Sequence, residues 1–290
     1  MAKYRHLGIP HLQWEKYRHP ITPQAGLDIP EFTVPARDGY PIRVRVYHQS
    51  NGPNGLPLLI YFHGGGFITG GLESDDNALR RVAAELPVVV LSVEYRLAPE
   101  YPFPVGFEDG LDIVKWAASK QSRSHLTAHN LKTSPSSGLI LGGTSAGISH
   151  ILAQDPKKDE LYRAVTGILF LAGTICHEDA RPAHHLDNFL SIDEITNSAG
   201  LTKEVIAYFA SKYAAPPSDP RRAQWSMYGW DPRRDETQLF EETLRGEGVE
   251  TRKYVYPGFP HGFWTTCPDL QCAKDWEEDF VEGIRFLLGT

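Results

Sequence analysis

The sequence predicts an α/β fold, a mostly parallel central sheet flanked by helices, and three observations carry this expectation. The runs Leu56–Phe62 and Pro87–Val93 are apolar on both sides of the strand alternation, as strands covered on both faces must be. Between them, Asp75–Leu86 places helix formers behind acidic residues suited to a helix N-terminus. Strand, helix and strand in that order make a parallel pair joined by a right-handed crossover. The third observation is Gly143-Thr144-Ser145-Ala146-Gly147, a G-x-S-x-G run directly after the apolar stretch Ser137–Gly142 and ahead of residues able to start a helix. A serine on so sharp a strand-to-helix turn needs small neighbours to keep clear of the adjoining strand.

Taken in order, residues 1–30 are rich in Pro, His and aromatic residues without a period, and read as an N-terminal arm that forms part of a cap. Glu31–Ala36 and Ile42–Tyr47 flank Arg37-Asp38-Gly39-Tyr40, where the alternation and the Asp-Gly joint predict a β-hairpin. Leu56–Phe62 is the first covered strand and ends at His63-Gly64-Gly65-Gly66. Beyond the second covered strand, Phe107, Leu111, Val114 and Ala118 fall at helical spacing, and a polar loop over 120–137 leads to the strand before Gly143. Ala164–Ala172 reads as another buried strand.

From His177 to Pro217 strand character gives way to helical periodicity. Ser191-Ile192-Asp193-Glu194 has the spacing of a capping box, and Val205, Phe209 and Tyr213 share one helical face. Ala223–Tyr228 and Thr251–Tyr256 return to strand patterning on either side of a helix from about Asp235 to Arg245. Trp276, Phe280, Ile284 and Leu287 line one face of a final helix. The expected organisation is an arm over 1–30, a first part of the core over 31–176, a cap insertion over 177–217 and the rest of the core over 218–290.

Composition narrows the partners. The chain of 290 residues is 41% hydrophobic and 22% charged, as a globular domain is, and its net charge of -7 offers no basic stripe to neutralise phosphates, which argues against nucleic acid. No apolar run reaches the length of a bilayer span, and the first residues lack the apolar centre of a secretory signal, so a cytoplasmic protein is expected. Cys176, Cys267 and Cys272 are odd in number and lack metal-ligand spacing. They read as buried or inert thiols in a reducing compartment, and neither a metal nor a cofactor is expected.

A serine hydroxyl becomes a strong nucleophile only when a base takes its proton, and the base needs an acid to fix its tautomer. Ser145, Asp231 and His261 follow one another in the order nucleophile, acid, base, each after a predicted strand, where open parallel sheets gather their ligands. Asp231 comes directly after a strand pattern, whereas Asp235 and Glu236 fall on the next helix as solvated N-terminal charges. The glycine run supplies backbone N–H groups that no side chain shields. Gly65, Gly66 and Ala146 are the expected donors to the oxyanion of a tetrahedral intermediate, with His63 bracing the loop. No Lys-Ser/Thr follows the three glycines and no G-x-G-x-x-G spacing contains them, which argues against a phosphate site. His184 and His185 read as solvated residues of the cap.

With these residues assembled, the chain resembles the hormone-sensitive-lipase branch of the α/β-hydrolases, which includes arylacetamide deacetylases and bacterial ester hydrolases. The likeness runs from about residue 31 to the C-terminus and rests on His63-Gly-Gly-Gly-Phe67, Tyr95-Arg-Leu-Ala-Pro-Glu100, Gly143-Thr-Ser-Ala-Gly147, Asp231-Pro-Arg-Arg-Asp-Glu236 and His261-Gly-Phe263. The wording around Ser145 and from Tyr254 to Trp264 is similar to fungal members, some of which serve secondary-metabolite pathways. The resemblance implies a serine carboxylesterase acting on short or medium acyl esters through an acyl-enzyme, with a small helical cap, and leaves a homodimer open. Ile148, where the family usually carries a small residue, and the shortened stretch ahead of Asp231 depart from its pattern. The alternative from another class is a cyclase, lyase or acyl transferase that uses the same site without net hydrolysis. A ligand receptor on this scaffold is disfavoured by the intact Ser, Asp and His set.

Overall fold

The β-hairpin forms where the alternation places it. The computed structural model describes residues 23–119, 126, 131, 133–143, 165–171, 187–195, 201–213 and 234–290. After a short β1 (Leu27–Asp28), strands β2 (Glu31–Pro35) and β3 (Pro41–Gln49) pair antiparallel, with Pro35 opposite Pro41. β4 (Leu58–Phe62), α1 (Asp76–Glu85) and β5 (Val89–Glu94) make the expected crossover, followed by α2 (Val105–Ala118), β6 (Leu139–Gly143) and β7 (Gly167–Phe170). Among the described residues the strands form one sheet in the order β1-β3-β5-β4-β6-β7, with β2 on β3. β3 runs antiparallel to β5, and β5, β4, β6 and β7 are mutually parallel.

Alternation along β4 shows how both faces are covered. Leu58, Ile60 and Phe62 pack in one buried layer with Phe107, Ile113 and Val114 of α2. Leu59 and Tyr61 point the other way, into a layer with Leu79 and Val82 of α1 and with the last helix. That helix, and four before it, complete the described elements: α3 (Ser191–Glu194), α4 (Lys203–Tyr213), α5 (Arg234–Gly246), α6 (Phe263–Thr266) and α7 (Gln271–Leu288). Trp276, Phe280 and Ile284 of α7 are buried and Leu287 packs beside them, as the spacing requires.

Several expectations need correction. On α2 the buried residue is Ala117, with Ala118 exposed, because the apolar face is one position out of phase at its end. Of Ala164–Ala172, the described residues 165–171 form a ladder over Gly167–Phe170, and those four are half-buried. Thr251–Tyr256 belongs to no ladder among the described residues, and Ala223–Tyr228, the other strand expected in this part of the chain, lies outside them. Ser191 does not cap its own helix, although its Oγ accepts the Asp235 N–H in the first turn of α5 at 3.3 Å. It lies within α3, and Leu190 occupies the N-cap position with no side-chain cap of its own. The cap comes from elsewhere: Asp235 Oδ2 accepts the N–H groups of Leu190 at 2.8 Å and Ser191 at 2.6 Å. Asp235 is therefore a bridge between α5 and the 187–195 segment, not a solvated charge. Cys267 is exposed and Cys272 half-buried, so burial does not describe the former, and both are free. Among the described residues no helix is long and apolar enough to cross a membrane.

Candidate active site

The site begins where the sheet changes direction. From β4 the chain crosses to β5 on one side and then returns past β4 to β6 on the other, so the carboxyl ends of β4 and β6 flank the switch point at which open parallel sheets bind their ligands. The last rung between them pairs Phe62 with Gly143. His63 and the glycine run leave the sheet from the first of these ends, and Gly143, the first residue of the G-x-S-x-G sequence, closes the second. Gly143 has φ 143° and approaches β4 so closely that a Cβ would collide with the carbonyl oxygen of Phe62. Only glycine satisfies both conditions. Ser145, Ala146 and Asp231 lie outside the described residues, as do His184, His185 and Cys176.

The glycine loop is held open from below. Gly65 (φ 122°) and Gly66 (φ 60°) are in the left-handed region, and the Gly65 carbonyl accepts the N–H groups of Ile68 at 3.0 Å and Thr69 at 3.1 Å. A Cβ on Gly65 would meet the Thr69 carbonyl, and one on Gly66 would meet the ring of Phe209. Among the described residues the N–H groups of Gly65 and Gly66 have no partner. His63 braces this loop as expected. Its fully buried imidazole stacks on Tyr95 with ring centroids 4.3 Å apart, its Nδ1 donates to the Gly64 carbonyl at 2.8 Å, and its own carbonyl accepts from Tyr95 Oη at 2.7 Å. Burial pushes the imidazole pKa down to about 4, so the ring is neutral at physiological pH.

The face of α4 picked out by its spacing lies against this loop. Phe209 covers Gly66, and Tyr213 stacks on Phe67 at 4.2 Å while meeting Phe103 edge-on at 5.2 Å. The Tyr213 carbonyl also accepts the Phe103 N–H at 2.8 Å, so the end of α4 is fixed to the segment before α2. Phe67, Phe103, Phe209 and Tyr213 give the loop an aromatic surround.

His261 is half-buried on the turn ahead of α6. Trp264, on that helix, donates its indole N–H to Asp75 Oδ1 at 3.2 Å, and Tyr61 Oη donates to Asp75 Oδ2 at 2.8 Å. Asp75 precedes α1 with φ 59°, but its side chain makes no cap bond and turns inward instead. Burial raises the pKa of its carboxyl, and the donors Tyr61 and Trp264 pull it back down. Sequence reading took Asp75 for a helix charge. The only local signal to the contrary was its place beside a second aspartate, Asp76, which occupies the first helical turn and pairs with Arg45 and Arg80. Among the described residues no group of His, Cys, Asp and Glu is arranged to hold a metal.

Comparison with known proteins agrees with this architecture. A family model of the alpha/beta hydrolase fold matches residues 59–265. An AB hydrolase superfamily protein of Schizosaccharomyces pombe is 31% identical over 90% of this chain and 80% of its own length. Versiconal hemiacetal acetate esterase of Dothistroma septosporum is 28% identical over 85% of this chain and 78% of its own. Among solved structures, vibralactone cyclase superposes with a TM-score of 0.81 at 29% identity, covering 99% of this chain and 88% of that one. An esterase of Pyrobaculum calidifontis gives 0.72 at 26% identity, covering 99% and 91%.

Proposed function

Since this chain belongs to the alpha/beta hydrolase fold family, we propose that it is a serine carboxylesterase that cleaves a short- or medium-acyl ester through an acyl-enzyme. The observation that carries the reading is the rung Phe62–Gly143, which sets the root of the glycine loop beside the residue at which the G-x-S-x-G sequence begins. In this reading Ser145 Oγ attacks the ester carbonyl as His261 accepts its proton, and Asp231 orients the imidazole. The oxyanion is bound by the N–H groups of Gly65, Gly66 and Ala146. Collapse expels the alcohol with the proton from His261, leaving an acyl-serine. Water, deprotonated by the same imidazole, then releases the acid and restores the hydroxyl.

Esterase names among the relatives and neighbours support hydrolysis, and the acetate ester named for the Dothistroma relative supports a small acyl group on a larger alcohol. The aromatic surround of Phe67, Phe103, Phe209 and Tyr213 suits an apolar alcohol portion, consistent with an ester of a secondary metabolite. Ser145→Ala is expected to abolish turnover of 4-nitrophenyl acetate and labelling by a fluorophosphonate. Full activity in that variant would overturn the mechanism. One observation favours a second reading, the superposition on a cyclase. There the same acyl-serine is opened by a hydroxyl of the substrate itself, and mass analysis showing a lactone in place of the free acid would select it.

A further inference from the structure

Around Asp75 the structure closes a circuit of contacts. Asp75 accepts hydrogen bonds from Tyr61 and Trp264. Trp264 stacks on Trp276 at 4.6 Å and 10°, Trp276 stacks on Phe280 at 5.2 Å and 8°, and Phe280 meets Tyr61 edge-on at 6.2 Å and 84°, which returns to the start. The four aromatic members are all buried. The circuit joins β4, the start of α1, α6 and α7, and it reaches the candidate site from two sides. Tyr61 lies two residues before His63 at the root of the glycine loop, and Trp264 lies three residues after His261.

We propose that Asp75 is a positioning residue that holds the His261 turn in register with the glycine loop. The inference rests on the reading of His261 as the base. Stacking fixes the plane of the indole but constrains rotation within that plane less than a directional bond does. A hydrogen bond from Nε1 removes that freedom, and a short helix that begins at Phe263 passes the constraint back to His261. The same carboxylate takes the Tyr61 hydroxyl, so donors from β4 and α6 converge on one half-buried acceptor. An apolar side chain at position 75 would leave both donors without it, and buried donors are rarely left unpaired. Asp75 also adopts φ 59°, an unfavourable conformation for a residue with a side chain, and it does so without capping its helix. The conformation serves to aim the carboxylate inward.

The test uses the full chain with 4-nitrophenyl acetate as substrate, active enzyme titrated by a fluorophosphonate, and thermal melts to confirm folding at the assay temperature. Trp264→Phe and Asp75→Leu are expected to lower kcat on the order of 10- to 100-fold. KM should stay within about threefold, and fluorophosphonate labelling should slow by the same factor as kcat. Asp75→Asn, which keeps an acceptor for Trp264 and presents an amide to Tyr61, is expected to restore most of the rate. If Asp75→Leu does not fold, Trp264→Phe decides. A folded Trp264→Phe variant with unchanged kcat and labelling rate overturns the inference, as does an Asp75→Asn variant no faster than Asp75→Leu. Failure of the underlying reading has a separate signature: full turnover in His261→Ala removes the base and with it this role for Asp75.

Discussion

His63 shows what burial does to a single side chain near the site. Its pKa near 4 in the folded chain, against an ordinary 6.5, means that the unfolded chain binds a proton in this interval and the folded one does not. Stability contributed by the neutral ring is complete above pH 6.5 and falls as the pH drops toward 4, by about 3 kcal/mol across the window. Urea unfolding between pH 4 and 8 checks this. The slope should flatten in His63→Asn, which has no group titrating there. Gly66 is the second residue-scale case. Gly66→Ala forces a methyl group into the Phe209 ring at φ 60°, and should reduce kcat/KM on the order of 100-fold by displacing one proposed oxyanion donor. Combining it with Phe209→Leu makes room for the methyl and should return part of the loss, measured with the same activated acetate.

Between elements the informative contacts are those that borrow a partner from another segment. α3 is too short to stabilise itself, and the carboxylate that satisfies its first N–H groups belongs to α5, which begins three residues beyond Asp231. Arg234 reinforces this junction by pairing with Asp235 at 2.8 Å and with Glu194 at 3.1 Å. Asp235→Ala should destabilise the protein by about 1 kcal/mol, a typical cost of losing a helix cap, seen as a lowered Tm. Such borrowing also explains what was legible in the sequence. The hairpin, the crossover, α2, α4, α5 and α7 follow from periods of two and 3.6 residues, which local sequence displays. The capping of α3 by Asp235, some 45 residues away, has no period. A Ser-x-x-Glu spacing therefore pointed to the wrong residue. Likewise, Trp264 and Asp75 are 189 positions apart and nothing local links them.

For the molecule as a whole, the buried ion pair Arg96–Asp109 ties the segment after β5 to α2, and Arg96 carries the tie on to the hairpin loop. Arg96, from the Tyr95–Glu100 motif, grips the fully buried Asp109 of α2 through its guanidinium at 2.6 and 2.9 Å and its backbone N–H at 2.9 Å. It also reaches Asp38 in the hairpin loop at 2.7 Å and lies 4.4 Å over the ring of Tyr40. Removing one partner of a buried pair strands the other, so Asp109→Asn should cost about 3 kcal/mol, checked by chemical denaturation at pH 7. The motif was visible as a string of letters, and the glycine loop and G-x-S-x-G run were visible with it. That β4 and β6 end side by side, at Phe62 and Gly143, was foreseeable from the rule for parallel strands, whereas the aromatic cover supplied by Phe209 depended on long-range packing.

The rung that joins Phe62 to Gly143 sets a tolerance for the whole architecture. Loops beyond it can lengthen or shorten with no effect on where they start, because both departures are measured from the same hydrogen-bonded pair. A one-residue insertion within 139–143 would be far less forgiving: it would turn every side chain of that strand to the opposite face and swing the following turn away from its neighbour. Variation in such a scaffold is thus free in the vertical direction, above the sheet, and quantised in steps of two along it.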